Sequence, residues 1–214
     1  MKVAVFGTGM VGEVIGTRLL QLGHEVRMGS RTANNDKAQA WAKAQGSKAS
    51  VGTFHDAAAF ADAAFLCVKG DASVDVIKAV AGGLDGKILV DISNPLDFSK
   101  GMPPTLFISN SDSLGEALQR EAPKVKVVKT LNTVNCHIMV NASKLKGEHT
   151  MFMCGDDSAA KERVLGEFLK PFGWTDVIDL GGIAQARGTE AYLLLWTRLY
   201  GHLKTPEFSI KVVR

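Results

Sequence analysis

The chain has 214 residues, 46% hydrophobic and 22% charged, with a formal net charge of +3. That is enough to bury a sizeable core in one compact unit with an extension, and the balance excludes a disordered or fibrous chain. Its basic residues are scattered, so neither a nucleic acid nor an anionic membrane surface is indicated as a partner.

The first sixteen residues organise the rest of the chain. A strand-like run over Lys2 to Phe6 meets Gly7-Thr8-Gly9-Met10-Val11-Gly12, and a helical pattern from Glu13 to Leu22 places Val14, Leu19 and Leu22 on its buried side. A GxGxxG between a strand and a helix is the turn that binds a dinucleotide. Gly7 lets the chain reverse, Gly9 lets backbone N–H groups approach a pyrophosphate, and Gly12 lets the helix lie close to the strand. The helix N-terminus then faces the anion with free N–H groups and its positive dipole end.

Gly23 ends this helix, and His24 to Met28 reads as strand two. An NAD site commonly carries Asp or Glu here, about 20 residues beyond the glycines, to hold the ribose 2′-OH. This chain has Gly29-Ser30-Arg31-Thr32 instead. Ser30 supplies a short donor, Arg31 a guanidinium able to pair with phosphate, and Lys37 a second candidate cation. The segment therefore favours NADP over NAD.

An Ala-rich helix over 35–45, a short strand over 49–53 and a helical turn over 56–61 lead to the apolar run Ala63 to Val68, the pattern of a doubly covered parallel strand. Ligands of open α/β sheets lie beyond the carboxyl ends of strands, which makes Val68, Lys69 and Gly70 candidates to line the cofactor. Asp71 or Ser73 is expected to cap the next helix. A fifth strand, Lys87 to Ile92, exits into Ser93-Asn94-Pro95, so Asn94 is either a neighbour of the nicotinamide or an Asx turn before proline. The loop through Met102-Pro103-Pro104 is long enough to cover a second ligand. Ser113 to Glu116 has capping-box spacing, and Val125 to Thr130 is a sixth strand delivering Asn132 to His137 to the same edge. Cys136 and His137 are adjacent in sequence with no third orienting group, so Cys136 is expected near the cofactor rather than as a nucleophile.

Beyond residue 145 the pattern changes. A strand over 149–154, a helix capped by Asp156, a strand over 174–180, a long apolar helix over 183–200 and a closing strand over 208–213 form a small α+β extension. The expected architecture is a Rossmann-like, doubly wound, mostly parallel α/β sheet in residues 1–145, with residues 146–214 packing on it. Cys67, Cys136 and Cys154 are dispersed and odd in number, giving neither a disulfide framework nor a metal site. No run approaches the ~18 apolar residues that span a bilayer and no leader precedes strand one, so a cytoplasmic, membrane-free protein is expected.

A nicotinamide carries the hydride itself, and a carbonyl acceptor would also need a proton donor. No Tyr-x-x-x-Lys occurs in a suitable helix, and a flavin-like acceptor needs less from side chains because its ring nitrogens take the charge and proton.

Gly7 to Gly12, Gly29-Ser30-Arg31, Cys154-Gly155-Asp156-Asp157, and Asp179 to Gly182 with Ala186-Arg187 together resemble the NADPH-dependent reductases of the deazaflavin coenzyme F-420. The cytosolic oxidoreductase domain of the STEAP metalloreductases is a more distant likeness. The resemblance implies NADP(H) bound by Thr8 to Val11 at the pyrophosphate and by Ser30, Arg31 and Lys37 at the 2′-phosphate, with Val68, Asn94 and Cys136 along the nicotinamide. It also implies a homodimer and hydride transfer without a protein acid or base. The acceptor it implies is a deazaflavin or a flavin such as FMN or FAD. A non-catalytic NADPH-binding redox sensor is the alternative.

Overall fold

A computed structural model describes every residue from Met1 to Arg214. Eight strands form one sheet: β1 (Lys2–Phe6), β2 (Glu25–Ser30), β3 (Ala49–Thr53), β4 (Ala63–Leu66), β5 (Ile88–Asp91), β8 (Lys126–Thr130), β9 (Met151–Cys154) and β10 (Val177–Asp179). Their spatial order is β10-β9-β8-β5-β4-β1-β2-β3. All neighbours run parallel except β8 and β9. The six parallel strands from β3 to β8 have the doubly wound Rossmann order, with its switch point between β1 and β4. The remaining two strands, β6 (Leu96–Asp97) and β7 (Thr105–Leu106), make a small antiparallel hairpin.

Strand alternation explains the layering. Val3 and Val5 enter one core cluster while Ala4 and Phe6 enter the other, and Ala63/Phe65 and Ala64/Leu66 divide in the same way. Successive side chains of a strand point to opposite faces, so a strand that is apolar at every position must be covered on both. One face carries α1 (Met10–Gln21), α2 (Asp36–Gln45), α6 (Cys136–Met139) and α7 (Ser158–Val164). The other carries α3 (Phe54–Phe60), α4 (Gly70–Val80), α5 (Leu114–Glu121) and the start of α8 (Ala186–Leu203). The buried stripe of α1 is Ile15, Gly16 and Leu19, with Val14 and Leu22 at its margin. Gly16 is required there, because a Cβ would stand 2.8 Å from the Trp41 ring of α2.

Residues 146–214 continue the same sheet and core. Phe168 meets Phe65 of β4 edge-on, centroids 5.0 Å apart, and Trp174 is buried with its Nε1 donating to the Met139 carbonyl.

Several local expectations change. α4 starts at Gly70 without a side-chain cap, and Ser73 Oγ instead donates back to the Lys69 carbonyl. Asp157, not Asp156, caps α7 by accepting from Ala160 N, while Asp156 accepts from Ile183 N at the turn before α8. The segment 208–213 is not a ladder strand. Its Val212 N donates to Thr150 Oγ1, Ile210 O accepts from Thr150 N, and Lys211 and Arg214 pair with Asp176, so side-chain anchors replace strand pairing.

Candidate active site

Register lines up the carboxyl ends of five strands. Phe6 is level with Gly29 of β2 and Leu66 of β4, Leu66 with Asp91 of β5, and Asp91 with Lys129 of β8. The residues just past these strand ends therefore share one edge: Gly7-Thr8, Ser30-Arg31, Cys67-Val68, Ile92 to Asn94, and Thr130 to Asn132.

The glycine turn is built as its spacing requires. Gly7 has φ +125°, and a Cβ there would lie 2.7 Å from the Cys67 carbonyl oxygen of the adjoining strand exit. At Gly12 a Cβ would stand 2.1 Å from Gly7 O, so only glycine lets α1 approach the turn. Gly9 is different: a Cβ there would meet no protein atom within 4 Å. It is the N-cap of α1 and offers no side-chain acceptor to the first-turn amides. An open face above uncapped amides suits an anion, and these residues fit a dinucleotide pyrophosphate.

Beside this turn, Gly7 N donates to Gly29 O at 3.1 Å, which sets Ser30 and Arg31 next to it. Ser30 is buried and its hydroxyl donates to Thr32 O, shaping the loop, whereas Arg31 and Lys37 are exposed and make no ion pair. Both are unpaired cations in the segment that follows β2, of residue types able to pair with phosphate.

On the other side of the switch point lies a cleft of about 670 Å³ whose wall includes Val11, Val68, Lys69, Asn94, Phe98 and Phe107. With Gly70, also on this wall, five of the sequence candidates thus come together there: Val11, Val68, Lys69, Gly70 and Asn94. Cys136 does not reach it. It is 4% exposed in the core under α6, burial pushes its thiol pKa up, and Met139, one turn on, lies at the cleft instead. His137 is exposed and lines a separate groove with Glu13, Trp41 and Lys144. Burial likewise pushes the thiol of Cys154 up to about 12 and that of Cys67, which is half-buried at the cleft wall, further.

A family model described as NADP oxidoreductase, coenzyme F420-dependent, matches residues 2–95, which hold both the glycine turn and the Ser30-Arg31 segment. The crystal structure of an Arthrobacter sp. FB24 protein, described there as a putative F420-dependent NADP reductase, is 45% identical over the whole of both chains with a TM-score of 0.94. The chain belongs to this family. The F420-dependent NADP reductase of Methanothermobacter marburgensis is 27% identical over 89% of this chain and 88% of its own. Metalloreductase STEAP3 of Rattus norvegicus is 31% identical over 96% of this chain, which spans only 38% of that relative's length.

Membership makes the protein an NADP-dependent oxidoreductase, and no helix is long and apolar enough to cross a membrane. The fold adds residues to the family's edge that spacing alone did not reveal. Phe98 and Phe107 flank the β6/β7 hairpin and face the cleft, each about half exposed. Asp91, Lys129 and Glu190 lie fully buried beneath it. A signal existed for the last group: a lysine within the apolar strand Val127-Val128-Lys129 and an aspartate closing Ile88-Leu89-Val90 cannot be buried unless they meet.

Proposed function

We propose that the protein transfers hydride between NADP(H) and a planar, flavin-type acceptor, a deazaflavin, FMN or FAD, seated against Phe98 and Phe107. The observation that carries this reading is the course of the cleft, from Val11 at the uncapped N-terminus of α1 to two exposed aromatic rings. Aromatic side chains offer stacking area to a flat conjugated ring, and each contact of that kind adds about 0.5–1.5 kcal/mol beyond the area it buries.

In this reading Thr8 to Val11 direct their amides at the pyrophosphate, and Gly7, Gly9 and Gly12 allow the approach. Ser30 shapes the loop that presents Arg31, with Lys37, to the 2′-phosphate. Val68, Lys69 and Asn94 flank the nicotinamide half, and Cys136 is left out of the site. Bound NADPH supplies a hydride from its nicotinamide C4. The chain's part is to hold two rings at near-attack distance and exclude water between them. No histidine or tyrosine lines the cleft. Asp97, at its rim, accepts from Ser99 N at 2.8 Å, which holds its carboxyl below the usual range, so it is ionised at neutral pH and donates no proton. Lys69 also lines the cleft and its ammonium can donate, but an acceptor whose own ring nitrogens take the proton needs no such donor.

Support for a homodimer comes from α8, which buries Thr189, Glu190, Leu193 and Thr197 and leaves the apolar side chains of Leu195, Tyr200 and Leu203 exposed toward its C-terminal end. Light scattering of the purified protein checks it, with the mass of two chains expected.

For the function, purified protein is mixed with NADPH and a panel of FMN, FAD, deazaflavin, ferric chelates and quinones. NADPH oxidation with a flavin-type member is the expected result. Tight NADPH binding with no turnover on any acceptor would overturn it in favour of a redox sensor.

A further inference from the structure

Beneath the cleft a charged network ties the C-terminal helix to the floor of the site. The Lys129 ammonium donates to Asp91 Oδ2 at 2.8 Å, to Ser93 O at 2.6 Å and lies 2.8 Å from Glu190 Oε1. These partners use all three of its protons. Asp91 Oδ1 accepts from both Ser93 N (2.9 Å) and Ser93 Oγ (2.6 Å). Glu190, on α8, accepts from Leu114 N and Gly115 N at 2.8 and 2.9 Å, the first amides of α5. Burial alone would lower the Lys129 pKa, but Asp91 and Glu190 outweigh it and hold the ammonium charged. The second carboxylate is balanced by the positive end of α5.

A buried ion group stabilises a fold little more than well-packed apolar residues would, so its geometry is the informative part. Here three bonds converge on one residue, Ser93, which lines the cleft. The next residue is held by an independent route. Asn94 Nδ2 donates to the Asn132 main-chain carbonyl and Asn132 Nδ2 donates to Asn94 Oδ1, both at 2.9 Å, and Asn132 Nδ2 also donates to Thr189 O at 3.2 Å. Adjacent residues of α8, Thr189 and Glu190, thus fix adjacent residues of the turn, Ser93 and Asn94. The turn has no slack, because a Cβ on Gly70 would stand 2.0 Å from Asn94 O, so its backbone touches the opposite wall at the start of α4.

We propose that Glu190, with Lys129 and Asp91, and Asn132 are positioning residues through which α8 sets the Ser93-Asn94 turn, and with it the seat of the nicotinamide. This rests on the NADP(H) reading above, but not on the identity of the acceptor. A turn held in its competent arrangement only part of the time weakens the ligand that needs it by that fraction.

The test uses the full chain and two ligands, NADPH and 2′-phospho-ADP-ribose, which lacks the nicotinamide, titrated by calorimetry. Glu190 and Asn132 are both absent from the cleft wall, so their variants remove no direct contact. Glu190→Gln and Asn132→Ala are each expected to weaken NADPH roughly tenfold while changing 2′-phospho-ADP-ribose by less than about twofold. Equal losses for both ligands, or none for either, would overturn the proposal. If Glu190→Gln does not fold, Asn132→Ala decides by the same two numbers. Wild-type protein that binds neither ligand would overturn the cofactor reading itself, a result distinct from a variant that loses both equally.

Discussion

The glycine turn and the floor of the cleft are built on opposite plans. At the glycine turn the polar groups are left open: uncapped amides at α1, an unfilled space above Gly9, and Arg31 and Lys37 without partners. At the β5/β8/α8 end the charged groups are buried and paired with one another, down to the third proton of Lys129. The first plan suits a ligand group that brings phosphate charge, and the second suits a surface that must keep its shape when a flat ring settles on it. The difference divides the residues by what their loss should do. Loss of an open group should cost binding and spare the fold, whereas loss of a paired group should cost the fold as well as the seat it sets.

Lys129→Met tests the paired end most severely. It leaves the carboxylates of Asp91 and Glu190 buried without their cation, and a loss of about 3–5 kcal/mol is expected in urea unfolding. Adding Glu190→Gln should return part of it, since the two residues touch and their effects couple. Additive losses would mean that Lys129 acts through packing alone. Gly12→Ala comes next. Its Cβ would stand 2.1 Å from a backbone oxygen that cannot rotate away, so about 3 kcal/mol of destabilisation is expected. Gly9→Ala, in the same turn but facing open space, should shift stability by less than about 0.5 kcal/mol while weakening NADPH, and an equal stability loss at both glycines would erase the distinction.

The same contrast governs how much is legible in the sequence. The open end is readable because its function rests on local spacing: three glycines after an apolar run, then Ser30-Arg31 where an acid could stand. The doubly covered sheet is readable too, because β1 and β4 are apolar at consecutive positions. The paired end is a tertiary product. Asp91 and Lys129 become neighbours only through parallel register, and Glu190 joins them from α8, 61 residues beyond Lys129 in the chain. Caps escape a local reading for a related reason. Asp156 and Asp157 are both able to cap, and the fold uses one for α7 and the other for Ile183. The closing segment alternates like a strand, yet Lys211 and Arg214 anchor it to Asp176, and its backbone meets Thr150 through one main-chain and one side-chain bond instead of a ladder.

Arg31→Ala probes the open end. With no contact in the fold to lose, it should leave the melting temperature unchanged and weaken NADPH roughly tenfold, about 1.4 kcal/mol, with NADH little affected. Equal loss for both nucleotides would move the 2′-phosphate elsewhere.

The smallest effect belongs to a pair that copies the buried network in water. Arg187, one turn before Glu190 on α8, makes a two-point contact with Glu116 of α5, at 2.6 and 2.8 Å, so both carboxylates bridge the same two helices. Arg187 is 41% exposed, and solvent screening should hold the pair to about 1 kcal/mol or less. The Arg187 hydrogen bonds hold the Glu116 carboxyl below its usual range. A lowered folded pKa places the contribution above the unfolded value of about 4.3, and it disappears as pH falls through the folded value. Glu116→Gln should therefore destabilise slightly at pH 7, less in high salt, and the difference from wild type should fade as pH falls through the folded value of Glu116. A loss at pH 7 as large as that of Lys129→Met would mean that the helix contact, and not burial of the charges, is what makes the inner network costly to break.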